Sequence, residues 1–364
     1  MPHSTTFFLR TSPHRRGGTC AALVLFAFFA VPTGAVELTL TPDEPTDLSG
    51  LTFLASQTVL DLNGVHTLRF DGPAAGLPDS ASITGIALLE DGAFLFSVDT
   101  PFEAGGTTYL PRDVIRRSGS AYSLELDGAP LGVPLSAQID AVARLADGRL
   151  ALSFDVPETV GAVTFLPADI AVVDGGTLAP LFDAAGAGLA PEANVAAFDR
   201  GDDGTFYFAF DTPTTVGGQT FAPDQVARYD GGVWSLWYDG GLTPGTRLSG
   251  LSLPGSPGNV TGLKVARGAG DVLDLTWDPS CSTETDDFAV YEGAIPDFTT
   301  HTPVTCTTGG SASETIIPAG GSRFFLVTAL NGTFEGSFGA ASSGAERSVG
   351  SNPCRSEQRL RACP

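Results

Sequence analysis

A pattern recurs along this chain at an interval of 56 residues. Phe96-Ser-Val-Asp99-Thr-Pro101 returns as Leu152-Ser-Phe-Asp155-Val-Pro157 and again as Phe208-Ala-Phe-Asp211-Thr-Pro213. The same step links Thr108-Tyr109, Thr164-Phe165 and Thr220-Phe221, and links Asp91-Gly92, Asp147-Gly148 and Asp203-Gly204. A fainter copy precedes them in Asp43, Pro45, Thr52-Phe53 and Phe70-Asp71-Gly72, and Asp71, Asp127, Asp183 and Asp239 complete one column without an insertion. Four copies in one register mean that each unit buries its apolar face against its neighbours, which is how repeat architectures are built.

Each unit reads as two hairpins. In the third copy, Ile139–Leu145 and Arg149–Phe154 flank Asp147-Gly148, and Asp-Gly between alternating runs is a strong hairpin signal. A Gly-rich crossover is expected over Val160–Pro167, followed by a second hairpin of Ile170–Val173 and Leu178–Phe182. Four short strands per repeat predict the blade of an all-β propeller. The repeat array begins at the second strand of a unit, and the missing first strand reappears as Arg247–Leu253. That phase predicts a closed ring of four blades over residues 36–253, with an open solenoid as the rival. In length, in Ile-Asp-Ala (139–141) and in the Asp-Gly-aromatic pattern, the repeats resemble hemopexin-type blades, though they lack that family's disulfide between first and last blades.

The N-terminus carries Arg10, Arg15 and Arg16, then the apolar run Cys20 to Val31 and Pro-Thr-Gly-Ala. This order predicts a signal peptide over residues 1–35. The run is shorter than the about 20 residues that span a bilayer, so no membrane insertion is expected. Of 19 basic and 41 acidic residues, three basic and no acidic ones lie in that segment, which leaves a net charge of −25. Nucleic acid and anionic membranes would repel such a chain; an extracellular protein or glycan is the expected kind of partner.

Pro254-Gly-Ser-Pro-Gly258 reads as a linker. Beyond it, Val260–Val265, Val272–Trp277, Phe288–Tyr291, Phe324–Asn331 and Gly336–Ser343 resemble strands A, B, C, F and G of a fibronectin type III domain over residues 259–348, Trp277 standing at the core position. The family's corner tyrosine falls at Arg323. The resemblance implies a β-sandwich serving as spacer or binding module, with no catalytic residue. Four cysteines follow the signal segment: Cys281, Cys306, Cys354 and Cys363. An even number in an exported chain implies two disulfides, and we expect Cys281–Cys306 at the sandwich edge and Cys354–Cys363 in the tail of residues 349–364. Asn259-Val-Thr and Asn331-Gly-Thr match glycosylation acceptors.

Chemistry is harder to find. Asp43, Asp99, Asp155 and Asp211 each precede Pro by two residues, which suits turn chemistry; the sharper alternative is a ring of oxygens around the axis that would hold Ca²⁺. Arg200-Gly-Asp202 sits where a hairpin tip is expected, beside a turn-forming Asp203-Gly204. His66 and His301 are the two histidines after the signal segment, far apart and read as ordinary strand or surface residues, and no Gly-x-Ser-x-Gly elbow occurs. The expected function is therefore a secreted, non-enzymatic binding or display module without a cofactor. The alternative is a metal-dependent propeller hydrolase or lyase with its site on the axis.

Overall fold

The computed structural model describes residues 37–364 except Asn63, Glu90, Asp91, Asp202, Asp203, Thr243, Pro244, Cys281, Thr283, Glu284, residues 342–345, Ser351, Ser356 and residues 361–364. The predicted signal segment, Cys281 and Cys363 thus lie outside the described residues. Among them no helix is long and apolar enough to cross a membrane.

Alternating apolar residues fold the repeats into four antiparallel sheets of four strands. Sheet two runs Ile83–Leu88, Phe94–Val98, Val114–Ser118 and Ala121–Leu126 from inside outward; sheet three runs Ile139–Arg144, Leu150–Phe154, Ile170–Asp174 and Thr177–Phe182. Sheet four runs Val195–Arg200, Phe206–Phe210, Gln225–Asp230 and Val233–Asp239. Sheet one draws on both ends of the array. Leu248–Ser252 pairs with Glu37–Pro42, which continues to Gln57–Leu62 and Val65–Asp71. The innermost strands pack in a cycle: Ile139–Arg144 lies against Ile83–Leu88 and Val195–Arg200, and Leu248–Ser252 also lies against those two. The result is an all-β, propeller-like ring.

One column explains how four strands fit round an axis. Gly85, Ala141, Ala197 and Gly250 occupy equivalent inner positions. A Cβ on Gly85 would come within 2.8 Å of the Val142 nitrogen, and one on Gly250 within 3.0 Å of the Thr41 hydroxyl. Only small residues permit that approach. Between sheets the core is aliphatic and aromatic, and Phe96, Phe154 and Phe210 are fully buried.

The predicted crossover over Val160–Pro167 contains a further small ribbon. Glu158–Val160 pairs with Val163–Phe165, and the same ribbon recurs as Thr46–Leu48 with Leu51–Phe53, Phe102–Ala104 with Thr107–Tyr109, and Thr214–Val216 with Gln219–Phe221. Its last residue inserts into the core: Phe53, Tyr109, Phe165 and Phe221 are all buried. That aromatic column is packing.

After the ring come two further sheets. Thr261–Arg267, Leu273–Asp278 and Ser313–Ile316 form one; Thr302–Thr305, Asp287–Ala294, Arg323–Leu330, Phe334–Glu335 and Glu357–Gln358 form the other. Trp277, Leu275, Phe288, Val290 and Ala329 lie between them. The strand expected over Gly336–Ser343 does not form over its described residues; the two-residue strand Phe334–Glu335 pairs with Arg323–Leu330 and runs parallel to Glu357–Gln358 of the tail instead. The cysteine pairing also departs from expectation. Cys306 is bonded to Cys354, so neither Cys281–Cys306 nor Cys354–Cys363 forms. The reason is that the tail folds back: the Tyr291 hydroxyl accepts from the Cys354 N–H, which brings that residue beside the segment carrying Cys306.

The same folding back docks these sheets on the ring. Phe334 joins the core cluster of Leu38, Leu40, Tyr207 and Leu253. Tyr207 and Trp237 donate to the Glu357 carboxylate at 2.6 and 3.0 Å. The Arg359 guanidinium donates to the Pro254 carbonyl at 2.6 Å and faces Asp199 at 4.0 Å. Asn331, one predicted glycosylation acceptor, is buried here: its amide donates to the Gly255 carbonyl, and its carbonyl oxygen accepts from the Thr333 and Phe334 N–H groups. A sugar has no route to it.

Candidate functional site

At one end of the axis each inner strand contributes a residue: Thr84, Asp140, Ala196 and Ser249 stand in equivalent positions. Two residues earlier in each strand's approach stand Ser82, Gln138, Asn194 and Arg247; opposite them stand Asp99, Asp155, Asp211 and Asp43. Most of these side chains line an axial cavity of about 200 Å³. Apart from Ala196 its lining is polar, with one guanidinium among several carboxyl groups.

The aspartate column has a structural part in common. The N–H groups of Asp43, Asp99, Asp155 and Asp211 donate to the carbonyls of Arg247, Ser82, Gln138 and Asn194 at 3.1–3.2 Å. This is the last rung between each inner strand and the next. The carboxylates then diverge. Those of Asp43 and Asp99 accept from the Arg247 and Ser82 N–H groups at 2.8 Å, whereas Asp155 takes the Asn194 amide at 3.4 Å and Asp211 the hydroxyl of its neighbour Thr212 at 3.2 Å. Asp43 also holds Arg247 in an ion pair at 2.9 Å. Among the described residues no three His, Cys, Asp or Glu side chains are placed together to hold a metal ion. The outer column is turn chemistry: Asp71, Asp127 and Asp183 accept from the N–H groups of Ala74, Ala129 and Gly186.

Asp140 is different. It is the one inner-strand position of the four occupied by an acid, and it is buried, 8% exposed. Burial pushes its carboxyl up to about 8; Asp155 adds to the rise, while Arg247 and the Asn194 amide oppose it. At neutral pH the group therefore keeps its proton, and a carboxyl with its pKa near neutrality is suited to proton transfer. A buried, perturbed acid in a cleft marks a candidate functional site. Sequence reading placed Asp140 inside a blade signature. The signal available was its departure from its column, Thr84, Asp140, Ala196 and Ser249.

His66 has company that its position in the sequence concealed. Ser49 Oγ lies 2.9 Å from His66 Nδ1, His66 Nε2 lies 3.5 Å from Asp61 Oδ2, and the Tyr238 hydroxyl donates to Asp61 at 2.5 Å. The order is Ser-His-Asp, but the setting is structural. His66 occupies the column of Tyr122, Leu178 and Trp234, each of which packs against residues of its small ribbon. Ser49 Oγ is also 3.2 Å from the Gly64 carbonyl. His301 is buried between the Tyr291 and Phe338 rings, and burial lowers its pKa. In the Arg-Gly-Asp segment the Arg200 guanidinium lies over the Phe206 ring, 5.1 Å from its centroid, and Asp202 and Asp203 lie outside the described residues.

No family model matches the sequence, and no curated protein matches it. Among solved structures, the chain is similar to a protein of unknown function from Bacteroides caccae at 12% identity and a TM-score of 0.25, over 66% of this chain and 65% of that one. It is similar to a gluconolactonase from Xanthomonas campestris at 16% identity and a TM-score of 0.25, over 67% and 66% of the two chains. A streptogramin B lyase aligns at 13% identity and a TM-score of 0.23, over 71% and 80%. The chain spans slightly less than two thirds of the length of the first two. Likenesses this distant say nothing about activity.

Proposed function

We propose that the chain is an exported protein, led by the signal segment of residues 1–35, in which a four-bladed β-propeller carries a fibronectin type III-like sandwich on its flank. In this reading it acts at the axial mouth, by hydrolase- or lyase-type chemistry on a small, neutral, hydroxyl-rich substrate. Asp140 carries the proposal. It holds a proton at neutral pH inside a cavity otherwise lined mainly by carboxylates, hydroxyls, an amide and the Arg247 guanidinium, and it serves as the general acid. Burial sets its acidity, with Asp155 adding to the rise and Arg247 and Asn194 opposing it, and Arg247 orients a substrate oxygen. The oxygen-rich lining is also of the kind that Ca²⁺ selects, so Ca²⁺ is the ion to test. The display reading, in which the sandwich holds the ring away from an anchor, has less support, because the tail is folded onto the ring.

The test is a turnover screen of the purified chain against small sugar lactones and esters, with and without millimolar Ca²⁺. Turnover that Asp140→Asn lowers by about 10²-fold or more, and that Ser49→Ala leaves unchanged, supports the axial acid. Turnover that survives Asp140→Asn, or no turnover of the whole panel, returns the protein to the class of binding modules.

A further inference from the structure

The four seams between neighbouring sheets are built from the same columns, and three of them are filled by the chain itself. Between sheets two and three, Glu125 receives Arg144 at 2.7 Å. Between sheets three and four, Phe182 packs on Phe206 and Arg200 covers the Phe206 ring. Between sheets four and one, the walls are Tyr207, Val226, Trp237 and Tyr238 on one side and Leu251, Leu253 and Leu38 on the other. That seam is occupied by Phe334 and by the Glu357 carboxylate, which Tyr207 and Trp237 bind.

The seam between sheets one and two is open. Column for column, Thr39, Thr58, Arg69 and Phe70 replace Tyr207, Val226, Trp237 and Tyr238, and Ile86, Leu88 and Phe94 replace Leu251, Leu253 and Leu38. Together with Arg117, which stands where Asp61 stands in the filled seam, they line a cleft of about 270 Å³. Its apolar wall is aromatic: the Phe70 and Phe94 rings lie 4.8 Å apart. Among the described residues its two charges are both positive. Arg117 is fixed, stacked over Phe70 at 4.6 Å with its Nη1 donating to the Tyr122 hydroxyl, and Arg69 Nη1 donates to the Thr39 hydroxyl. Neither arginine has an acidic partner among the described residues; Glu90 and Asp91, which follow Leu89 in the chain, lie outside them. In a protein with 41 acidic residues against 19 basic ones, a cleft whose described charges are two unpaired guanidinium groups selects strongly for anions.

From this we infer that the cleft between sheets one and two is a binding site for a small organic carboxylate with an aromatic body. The protein itself provides the precedent, since the equivalent cleft takes the Phe334 ring from the C-terminal sheets and the Glu357 carboxylate from the tail. Planar guanidinium groups bind carboxylates in fork geometry, and the ring of the ligand lies against Phe70 and Phe94. The cleft is at the small end of the ~300–1,000 Å³ of small-molecule sites, which suits a single-ring acid. The axial cavity, whose carboxyl groups outnumber a single guanidinium already paired with Asp43, would disfavour the same ligand.

The experiment titrates the full chain with phenylacetate by ligand-observed NMR and calorimetry, with phenylacetamide as the uncharged counterpart. Saturable phenylacetate binding is expected, weaker by at least about tenfold for the amide, since a lost charge-assisted pair is worth roughly that factor. Arg69→Gln, at an exposed position, should lower phenylacetate affinity about fivefold or more while melting like the parent; Asp140→Asn should leave it unchanged. Absence of saturable binding up to about 10 mM, a concentration that detects even affinities weaker than 1 mM, would overturn the inference. So would equal binding of acid and amide, or undiminished binding to a folded Arg69→Gln.

Discussion

The ring and the sandwich beside it hold together in different ways. In the ring the same contact is made four times: the rung from each aspartate N–H, the small inner residue at Gly85, Ala141, Ala197 and Gly250, the buried aromatic at the end of each ribbon. The sandwich is fastened by contacts that occur once, such as Glu357 with Tyr207 and Trp237, Arg359 with the Pro254 carbonyl, and Cys306 with Cys354. Repetition makes the ring's architecture robust, and it assigns a structural role to whatever repeats. The positions that break the repeat, Asp140, Arg69, Arg117 and the tail, are where specific chemistry is proposed.

Four changes sharpen or break that contrast. Deleting residues 247–253 removes the strand that pairs with Glu37–Pro42 and opens the ring by taking from sheets two and four one of the inner strands each packs against. It should abolish cooperative unfolding of the ring in calorimetry; a truncated chain that melts like the parent would mean the seams do not cooperate. Replacing Cys306 and Cys354 by Ser should cost about 2–5 kcal/mol, confined to the sandwich transition, and non-reducing peptide mapping of the parent should recover the Cys306–Cys354 pair. An intact Cys281–Cys306 peptide would break the fold-back of the tail.

The third change reads out the axis by pH. The folded-state pKa of Asp140 is raised, so the folded chain holds a proton that the unfolded chain has released. Stability attributable to this group is full below about pH 4, falls as pH rises through the window from about 4 to about 8, and is level above it. Asp140→Asn carries no such penalty and should exceed the parent by on the order of a few kcal/mol at pH 8, with little gap at pH 4. Parallel denaturation curves at both pH values would place Asp140 in water. The smallest effect belongs to Ser49, whose φ of +51° puts it in the left-handed region occupied by Gly105, Gly161 and Gly217 in the other ribbons. Ser49→Gly relieves that strain but loses the bond to His66, so the net change by chemical denaturation should stay within about 0.5 kcal/mol; a loss above 2 kcal/mol would show that the His66 cluster is a keystone of sheet one.

How much of this was legible follows the same division. The 56-residue step and the displaced strand at Arg247–Leu253 located the hairpins and the closing pair, because β-pairing in a repeat needs only periodicity and turn residues. The small ribbons were missed since three-residue strands around Gly161 have too few alternations to register. The cysteine pairing was misread because chain order says nothing about a tail that returns to the sheet it left. Asp140 was visible as a letter but not as an acid near neutrality, for its acidity comes from burial and from Asp155, Arg247 and Asn194, residues at the ends of other strands.

The pairing of Thr39 with Ser252 joins residues from opposite ends of the array. A chain emerging from its N-terminus can assemble sheets two, three and four in turn, because the strands of each are contiguous. The first sheet must wait. Its three early strands stay an open edge until the last inner strand arrives, and the loop to be closed is nearly the whole ring. Long-range pairing of this kind slows folding, so the segment made first is completed last, and an unsatisfied Glu37–Pro42 edge is the exposed, association-prone surface of every incomplete chain.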